Sequence, residues 1–388
     1  MANTKVLVIG GAGYIGSHVV KALLESGFSV TVYDNMSSGQ TCNLFADAAF
    51  IKGDILDVEK LNTVMAESFD AVVHLAAKKA VGESMENPQL YAANNLNGSV
   101  NIFNAMVNNG IKNIVFSSSA AVFGAPQYVP VDEKHPLNPM SFYGYTKMQI
   151  EQVMHWFARL KDFHFIALRY FNAVGYAADG SITGREKNPQ NLLPIIMEVA
   201  TGKRDKLHVF GNDYDTPDGT CVRDYVHVTD LATAHVAAVQ KLLKEPQSYC
   251  LNLGTNKGTS VLEIIKATER VIGKKLPYDF APRRAGDPAV IVATNEMAKK
   301  VLNWHPQYTD IDKIIQTTWN LETKDKQWKL YNNFWLTLPA VNTFRHFGCG
   351  LVSALSSFCC LPLIYFGLTA KTKNRTFGTH CGFALHTL

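Results

Sequence analysis

A run of apolar residues, Lys5-Val-Leu-Val-Ile9, passes directly into Gly10-Gly11-Ala12-Gly13-Tyr14-Ile15-Gly16. A continuous apolar run bounded by glycines predicts a strand buried on both faces, followed by a tight turn. The periodic residues Val19, Val20, Leu23 and Leu24 then predict a helix. A bare glycine turn between strand and helix leaves backbone N–H groups and the helix dipole facing one point, which suits a pyrophosphate. A second strand, Ser29-Val-Thr-Val-Tyr33, ends in Asp34, 18 residues beyond Gly16. An acidic side chain there accepts hydrogen bonds from ribose hydroxyls and repels a 2′-phosphate, so the expected cofactor is NAD rather than NADP.

The alternation continues. A strand over 49–53 ends in Asp54 and Ile55, a helical stretch follows near 57–67, and Ala71-Val-Val-His-Leu75 forms a fourth strand whose loop carries Lys79. Asn94 and Asn95 fall in the next helix, and a strand over 114–116 feeds Ser117-Ser118-Ser119. A sixth strand over 163–168 ends in Arg169-Tyr170-Phe171-Asn172. This pattern predicts an α/β fold, a Rossmann-type doubly wound parallel sheet with ligands at the carboxyl ends of its strands. Beyond it the pattern loosens: 191–194, 209–213, 221–227 and 281–287 read as polar, loop-rich segments. The expected organisation is an NAD-binding domain over 1–172 and a smaller α/β substrate-binding domain over 173–323, some of whose segments return to the first. A divergent hydrophobic tail occupies 324–388.

Between the fifth and sixth strands lies Tyr143-Gly-Tyr-Thr-Lys147, opening a predicted helix through Leu160. Residues four apart on a helix share a face, so Tyr143 and Lys147 meet while Tyr145 points away. A phenol of ordinary pKa about 10 is a poor base at neutral pH, and a neighbouring ammonium stabilises its anion. Ser119, at a strand end, is in place to join them. Arg223 and Arg284 offer planar, forked donors of the kind that clamp a diphosphate.

The 388 residues carry 37 Lys and Arg against 33 Asp and Glu. Four of the basic residues, Arg345, Lys371, Lys373 and Arg375, lie after residue 330, where no acidic residue occurs, so the body is balanced at 33 of each sign. That balance argues against nucleic acid as a partner. Seven cysteines lack CxxC spacing, and no metal site is expected. Met1-Ala-Asn-Thr-Lys5 leads straight into a strand too short for a signal sequence, which points to the cytosol.

On these strings the chain resembles the UDP-glucose 4-epimerases, a family of extended short-chain dehydrogenases/reductases. The resemblance covers about residues 4 to 322 and includes the glycine loop, Lys-Ala-Val-Gly-Glu-Ser (79–84), Phe-Ser-Ser-Ser-Ala (116–120), Arg-Tyr-Phe-Asn (169–172), Phe-Gly-Asn-Asp-Tyr (210–214) and Asp-Gly-Thr-Cys-Val-Arg-Asp-Tyr-Val-His-Val (218–228). It implies interconversion of UDP-galactose and UDP-glucose through transient oxidation at the sugar 4-position. Tyr143 would be the acid/base, Lys147 would lower its pKa and hold the nicotinamide ribose, and Ser119 would hydrogen-bond the reacting hydroxyl. NAD would be held by Gly10, Gly11, Gly13, Tyr14, Ile15, Gly16, Asp34, Asn35, Asp54, Ile55, Lys79, Asn94, Lys147 and Tyr170. The nucleotide sugar would meet Ser119, Tyr143, Asn172, Asn191, Leu192, Arg223, Arg284 and Asp287. A homodimer through helices near 90–108 and 146–160 is implied as well.

The chain departs from the family pattern at 175–187, at Ile291 and above all in its tail. Ile291 falls where members differing in N-acetylated substrate use carry other residues. Within the tail, Phe347 to Leu368 is an uncharged run of 22 residues, long enough to span a bilayer. Its heavier basic flank, Lys371, Lys373 and Arg375, would then face the cytoplasm and put the body on the opposite side. A cytosolic body with a divergent terminus is therefore preferred over a membrane contact. A related sugar-nucleotide dehydratase or decarboxylase, and a non-catalytic NAD-binding protein, are the alternative functions. Ala120-Ala121 offers no acidic residue for the former, and Tyr143, Lys147 and Ser119 are all present against the latter.

Overall fold

Strand β1 (Lys5–Ile9) pairs in parallel with β2 (Ser29–Asp34), and β2 with β3 (Ala49–Lys52). On its other side β1 pairs with β4 (Ala71–His74), followed by β5 (Asn113–Ser119) and β6 (His164–Tyr170), all parallel. The crossovers hold α1 (Tyr14–Glu25), α2 (Val58–Met65), α3 (Val81–Glu86), α4 (Pro88–Tyr91), α5 (Gly98–Asn108) and α6 (Phe142–Leu160). A π-helical stretch over Ala92–Asn97 joins α4 to α5. This computed structural model describes residues 4–186, 189–284 and 287–337, with side chains as far as 324.

After β6 the chain leaves the sheet through β7 (Asn172–Val174), α7 (Leu192–Thr201), β8 (Leu207–Phe210) and β9 (Val222–His227). It comes back as α8 (Val228–Lys244) and β10 (Tyr249–Leu253), which adds a seventh parallel strand beside β6. The remaining elements are β11 (Gly258–Ser260), α9 (Val261–Ile272), β12 (Tyr278–Ala281), β13 (Val290–Ile291), α10 (Glu296–Leu302) and α11 (Ile311–Thr337). A smaller sheet centres on β9, which takes β11 antiparallel and β13 and β7 parallel, while β12 and β8 pair with each other.

The large sheet separates two cores because successive strand residues face opposite ways. Val6 and Val8 join Val19, Val20 and Leu23 of α1 with Leu231 and Val239 of α8 on one side. Leu7 and Ile9 join Leu61 of α2, Ile102 and Phe103 of α5, and Ile150 and Met154 of α6 on the other. The β1 run expected to be buried on both faces is so from Val6 to Ile9, whereas β3 at the sheet edge is largely exposed.

Residues 221–227, expected to be a polar loop, are a correction: most of them form β9, with Asp224, Tyr225, Val226 and His227 buried. Their polar groups are satisfied from other segments, which removes the cost of burying them. Asp224 accepts from the Thr255 and Ala293 N–H groups at 2.9 and 3.3 Å, and His227 meets the Thr317 hydroxyl at 3.1 Å. The 347–368 run lies outside the described residues. Among the described residues no helix is long and apolar enough to cross a membrane.

Candidate active site

The glycine loop follows β1 as the alternation requires. Gly10 has φ +88°, and a Cβ at Gly16 would lie 2.1 Å from the Gly10 carbonyl oxygen, so the turn and the start of α1 touch without side chains between them. A Cβ at Gly13 would be 3.4 Å from that same oxygen and near nothing else. Gly13 is the N-cap of α1 and supplies no side-chain hydrogen bond to its first N–H groups. At the end of β2 Asp34 Oδ2 accepts from Ala12 N at 3.0 Å and Oδ1 from Met36 N at 2.8 Å. Each carboxylate oxygen has capacity for a further donor such as a ribose hydroxyl. Asn35 Nδ2 donates to Asp54 Oδ2 at 2.8 Å, and Ile55 is buried under Gly98. This bare, anion-favouring turn with a carboxylate beside it fits the dinucleotide expected there.

Three consecutive serines at the end of β5 meet three consecutive turns of α6. The Ser119 hydroxyl faces the Tyr143 phenol and favours its ionised form, Lys147 Nζ donates to the Ser117 carbonyl at 2.8 Å, and the Ser118 hydroxyl donates to Glu151 Oε1 at 2.5 Å. The helix comes this close because Gly144 has no Cβ; one would lie 2.4 Å from the Ala121 carbonyl oxygen. Ser141 caps the helix by accepting from Gly144 N at 3.1 Å. Exposed Tyr145 stacks on Phe142, away from this face.

Burial raises the pKa of the Tyr143 phenol, and the Ser119 hydroxyl works against it. Burial lowers Lys147 to about 7, opposed by the Glu151 carboxylate. The expected help from Lys147 to the phenol is not expressed as a contact: Nζ lies 5.9 Å from the Tyr143 ring centroid and points to the Ser117 carbonyl. Burial also raises Tyr170, with the Ser117 hydroxyl opposing it.

The remaining candidates are placed less uniformly. Asn94 hydrogen-bonds the Asn95 side chain at 2.9 Å, and Lys79 is ion-paired with Glu186. Asn172 donates to the Asp224 carbonyl at 3.2 Å, Asn191 caps α7, and Leu192 opens it. Arg223 Nη2 meets Asp287 Oδ1 at 2.5 Å, bringing two expected nucleotide-sugar residues together as an ion pair. Arg284 instead lies over the Phe210 ring, 4.0 Å from its centroid. The two arginines are therefore held by different partners rather than poised as one clamp.

The model of the NAD dependent epimerase/dehydratase family matches residues 6–254. The chain belongs to this family. It is 46% identical over 317 residues to the UDP-glucose 4-epimerase of Lacticaseibacillus casei, covering 81% of this chain and 96% of that one. The crystal structure of UDP-glucose 4-epimerase from Brucella ovis in complex with NAD superposes with a TM-score of 0.79 at 42% identity, covering 81% and 97% of the two chains. That of the Bifidobacterium longum enzyme in complex with NAD+ and UDP has a TM-score of 0.79 at 38% identity, covering 83% and 99%.

Within this epimerase/dehydratase scaffold, three residues that support the site were given no role from the sequence. Asn95 donates to the Lys78 carbonyl and accepts from its N–H, at 3.0 and 2.9 Å, and also reaches Thr146 of α6. The π-helical stretch supplies the turn that aims it, and nothing in the local string signals such a bulge. Glu186 belongs to the divergent 175–187 loop. Glu151 is four residues after Lys147, a spacing visible in the sequence but indistinguishable there from an exposed helix pair.

Proposed function

We propose that the protein interconverts UDP-galactose and UDP-glucose with NAD as its resident cofactor, by transient oxidation at the sugar 4-position. One observation carries this reading. A half-buried phenol, Tyr143, with the Ser119 hydroxyl acting on it and Lys147 one helical turn away, lies at the carboxyl end of β5, the same edge of the parallel sheet as the glycine loop. Bound NAD supplies a hydride acceptor that can return the hydride within the same turnover.

The Tyr143 phenolate takes the proton of the sugar 4-hydroxyl and gives it back after the sugar has presented its other face. Ser119 orients that hydroxyl, and the Lys147 ammonium favours the phenolate. Asp34, Asn35, Asp54, Ile55, Lys79, Asn94 and Tyr170 are assigned to NAD together with the loop from Gly10 to Gly16. Asn172, Asn191, Leu192, Arg223, Arg284 and Asp287 are assigned to the nucleotide sugar. No net oxidation occurs, so tight retention of the cofactor by these residues costs the cycle nothing. The test is formation of UDP-glucose from UDP-galactose by the purified chain with no hydride donor added. Turnover is expected; a strict requirement for an added donor overturns the reading.

We also assign the body to the cytosol and infer a homodimer. Exposed Met85, Leu90, Trp156 and Leu160 on α3, α4 and α6 support a covered face. Light scattering on the eluting protein is expected to give twice the chain mass, and a monomer at micromolar concentration overturns that inference.

A further inference from the structure

The Tyr143 and Lys147 rungs of the ladder between α6 and β5 are used by the proposed chemistry, and the third is not. Glu151 lies two turns beyond Tyr143 and one beyond Lys147, and is 2% exposed. Its carboxylate accepts from Arg169 Nε at 3.0 and 3.2 Å and from Nη2 at 2.6 Å, and from the Ser118 hydroxyl. The Cys250 thiol of β10 approaches it at 3.8 Å. A buried carboxylate with so many partners is costly to assemble, and its place directly after the lysine gives it an electrostatic task.

We propose that Glu151 is a positioning residue for the reaction: it keeps the neighbouring Lys147 in its ammonium form and, through Ser118, fixes the serine strand against which Tyr143 and Lys147 are aligned. This rests on the function proposed above. The charge environment supports it. Around Lys147 the other packed titratable groups are neutral near pH 7: burial lowers His74 at the end of β4 to about 3, raises Tyr170 on β6, and lowers His235 of α8, beside Ser117, to about 4. Cys250 is raised to about 12 and is likewise uncharged. Arg169, itself attracted by Glu133, faces Glu151 from β6. Among the described residues, Glu151 is thus the carboxylate whose charge acts on Lys147.

Removing the anion removes what holds the proton on Lys147, which then dissociates at lower pH, and the phenolate loses its supporting cation over the same range. Full-length Glu151→Gln is expected to retain NAD and to keep KM for UDP-galactose within about twofold, because neither ligand touches Glu151. Its kcat in mildly alkaline buffer should fall about tenfold or more, with the basic limb of the pH profile displaced by roughly one pH unit toward acid. Glu151→Asp should restore the limb in part.

A limb that stays in the wild-type position overturns the proposal, since a purely structural role lowers activity without moving it. If Glu151→Gln does not fold, the double variant Glu151→Gln/Arg169→Met leaves no unpaired buried cation and must show the same direction of shift. An unshifted limb there also overturns it. Should the wild-type chain fail to epimerise UDP-galactose, the functional reading falls by itself. The Lys147 proton is then followed by competitive acetic anhydride labelling against pH with peptide mass spectrometry, and an unchanged midpoint in the Gln variant refutes the role of Glu151.

Discussion

The glycine-loop edge of the large sheet and the region that carries Arg223, Arg284 and Asp287 are assembled by different means. The glycine loop is shaped by backbone sterics: Gly10 at φ +88° and Gly16 against the Gly10 carbonyl admit one arrangement of strand, turn and helix. The side of the molecule that carries Arg223, Arg284 and Asp287 is shaped by pairings between distant side chains, such as Arg223 with Asp287 and Arg283 with Asp213 at 2.7 Å. One region is specified locally; the other is held by charged contacts, for which a diphosphate in the proposed nucleotide-sugar site would compete. Binding of cofactor and of nucleotide sugar should therefore separate under mutation.

The largest expected effect lies at Tyr143. Tyr143→Phe should lower turnover by roughly 10²–10⁴-fold, the usual contribution of a positioned acid/base, while released-nucleotide absorbance shows NAD still bound. Near-wild-type turnover would sink the assignment of Tyr143. Next come the glycines. Gly16→Ala places a methyl at 2.1 Å from a carbonyl oxygen and should cost about 1–3 kcal/mol of stability along with NAD retention. Gly13→Ala meets only a 3.4 Å neighbour, so it should keep the melting temperature and lose NAD affinity instead. Equal losses of stability in both variants would contradict the division of labour within the loop.

On the other side, Asp287→Asn and Arg223→Lys should raise KM for UDP-galactose several-fold with NAD content unchanged, because a lysine lacks the planar fork. Loss of NAD from either variant would erase the distinction between the regions. The smallest effect is on stability against pH. Burial lowers His18 and His235 to about 4, and His74 and His227 to about 3, all below the ordinary 6.5. The unfolded chain therefore takes up protons between about pH 6.5 and pH 4 that the folded chain refuses, and stability falls as pH is lowered through that window. Melting temperatures measured from pH 7 to 4 should decline accordingly; a flat profile would mean these rings are not buried as neutral groups.

Legibility from sequence followed the same division. Strands β1 to β6, the glycine turn, Asp34 and the Tyr143–Lys147 face were readable because each is specified within a few residues by apolar runs, glycine spacing or helical period. Strand β9 was read as a loop because Arg223, Asp224 and His227 look solvent-seeking in isolation. Their partners Asp287, Thr255 and Thr317 are 64, 31 and 90 residues away. Lys79 showed the same blindness, since its partner Glu186 comes from a segment that departs from the family pattern.

The sequence by itself determined a parallel α/β sheet, a bare anion-favouring turn beside an acidic strand end, and a tyrosine and lysine on one helical face, because local sterics and periodicity are written in adjacent residues. Only the tertiary structure decided that three serines of β5 would each take one rung of α6, and that Arg223 would be tied to Asp287. It also decided that a glutamate at an ordinary helical spacing would be buried with Arg169 beside the lysine. Such pairings depend on which distant groups arrive to satisfy a buried charge, and no local pattern of residues carries that information.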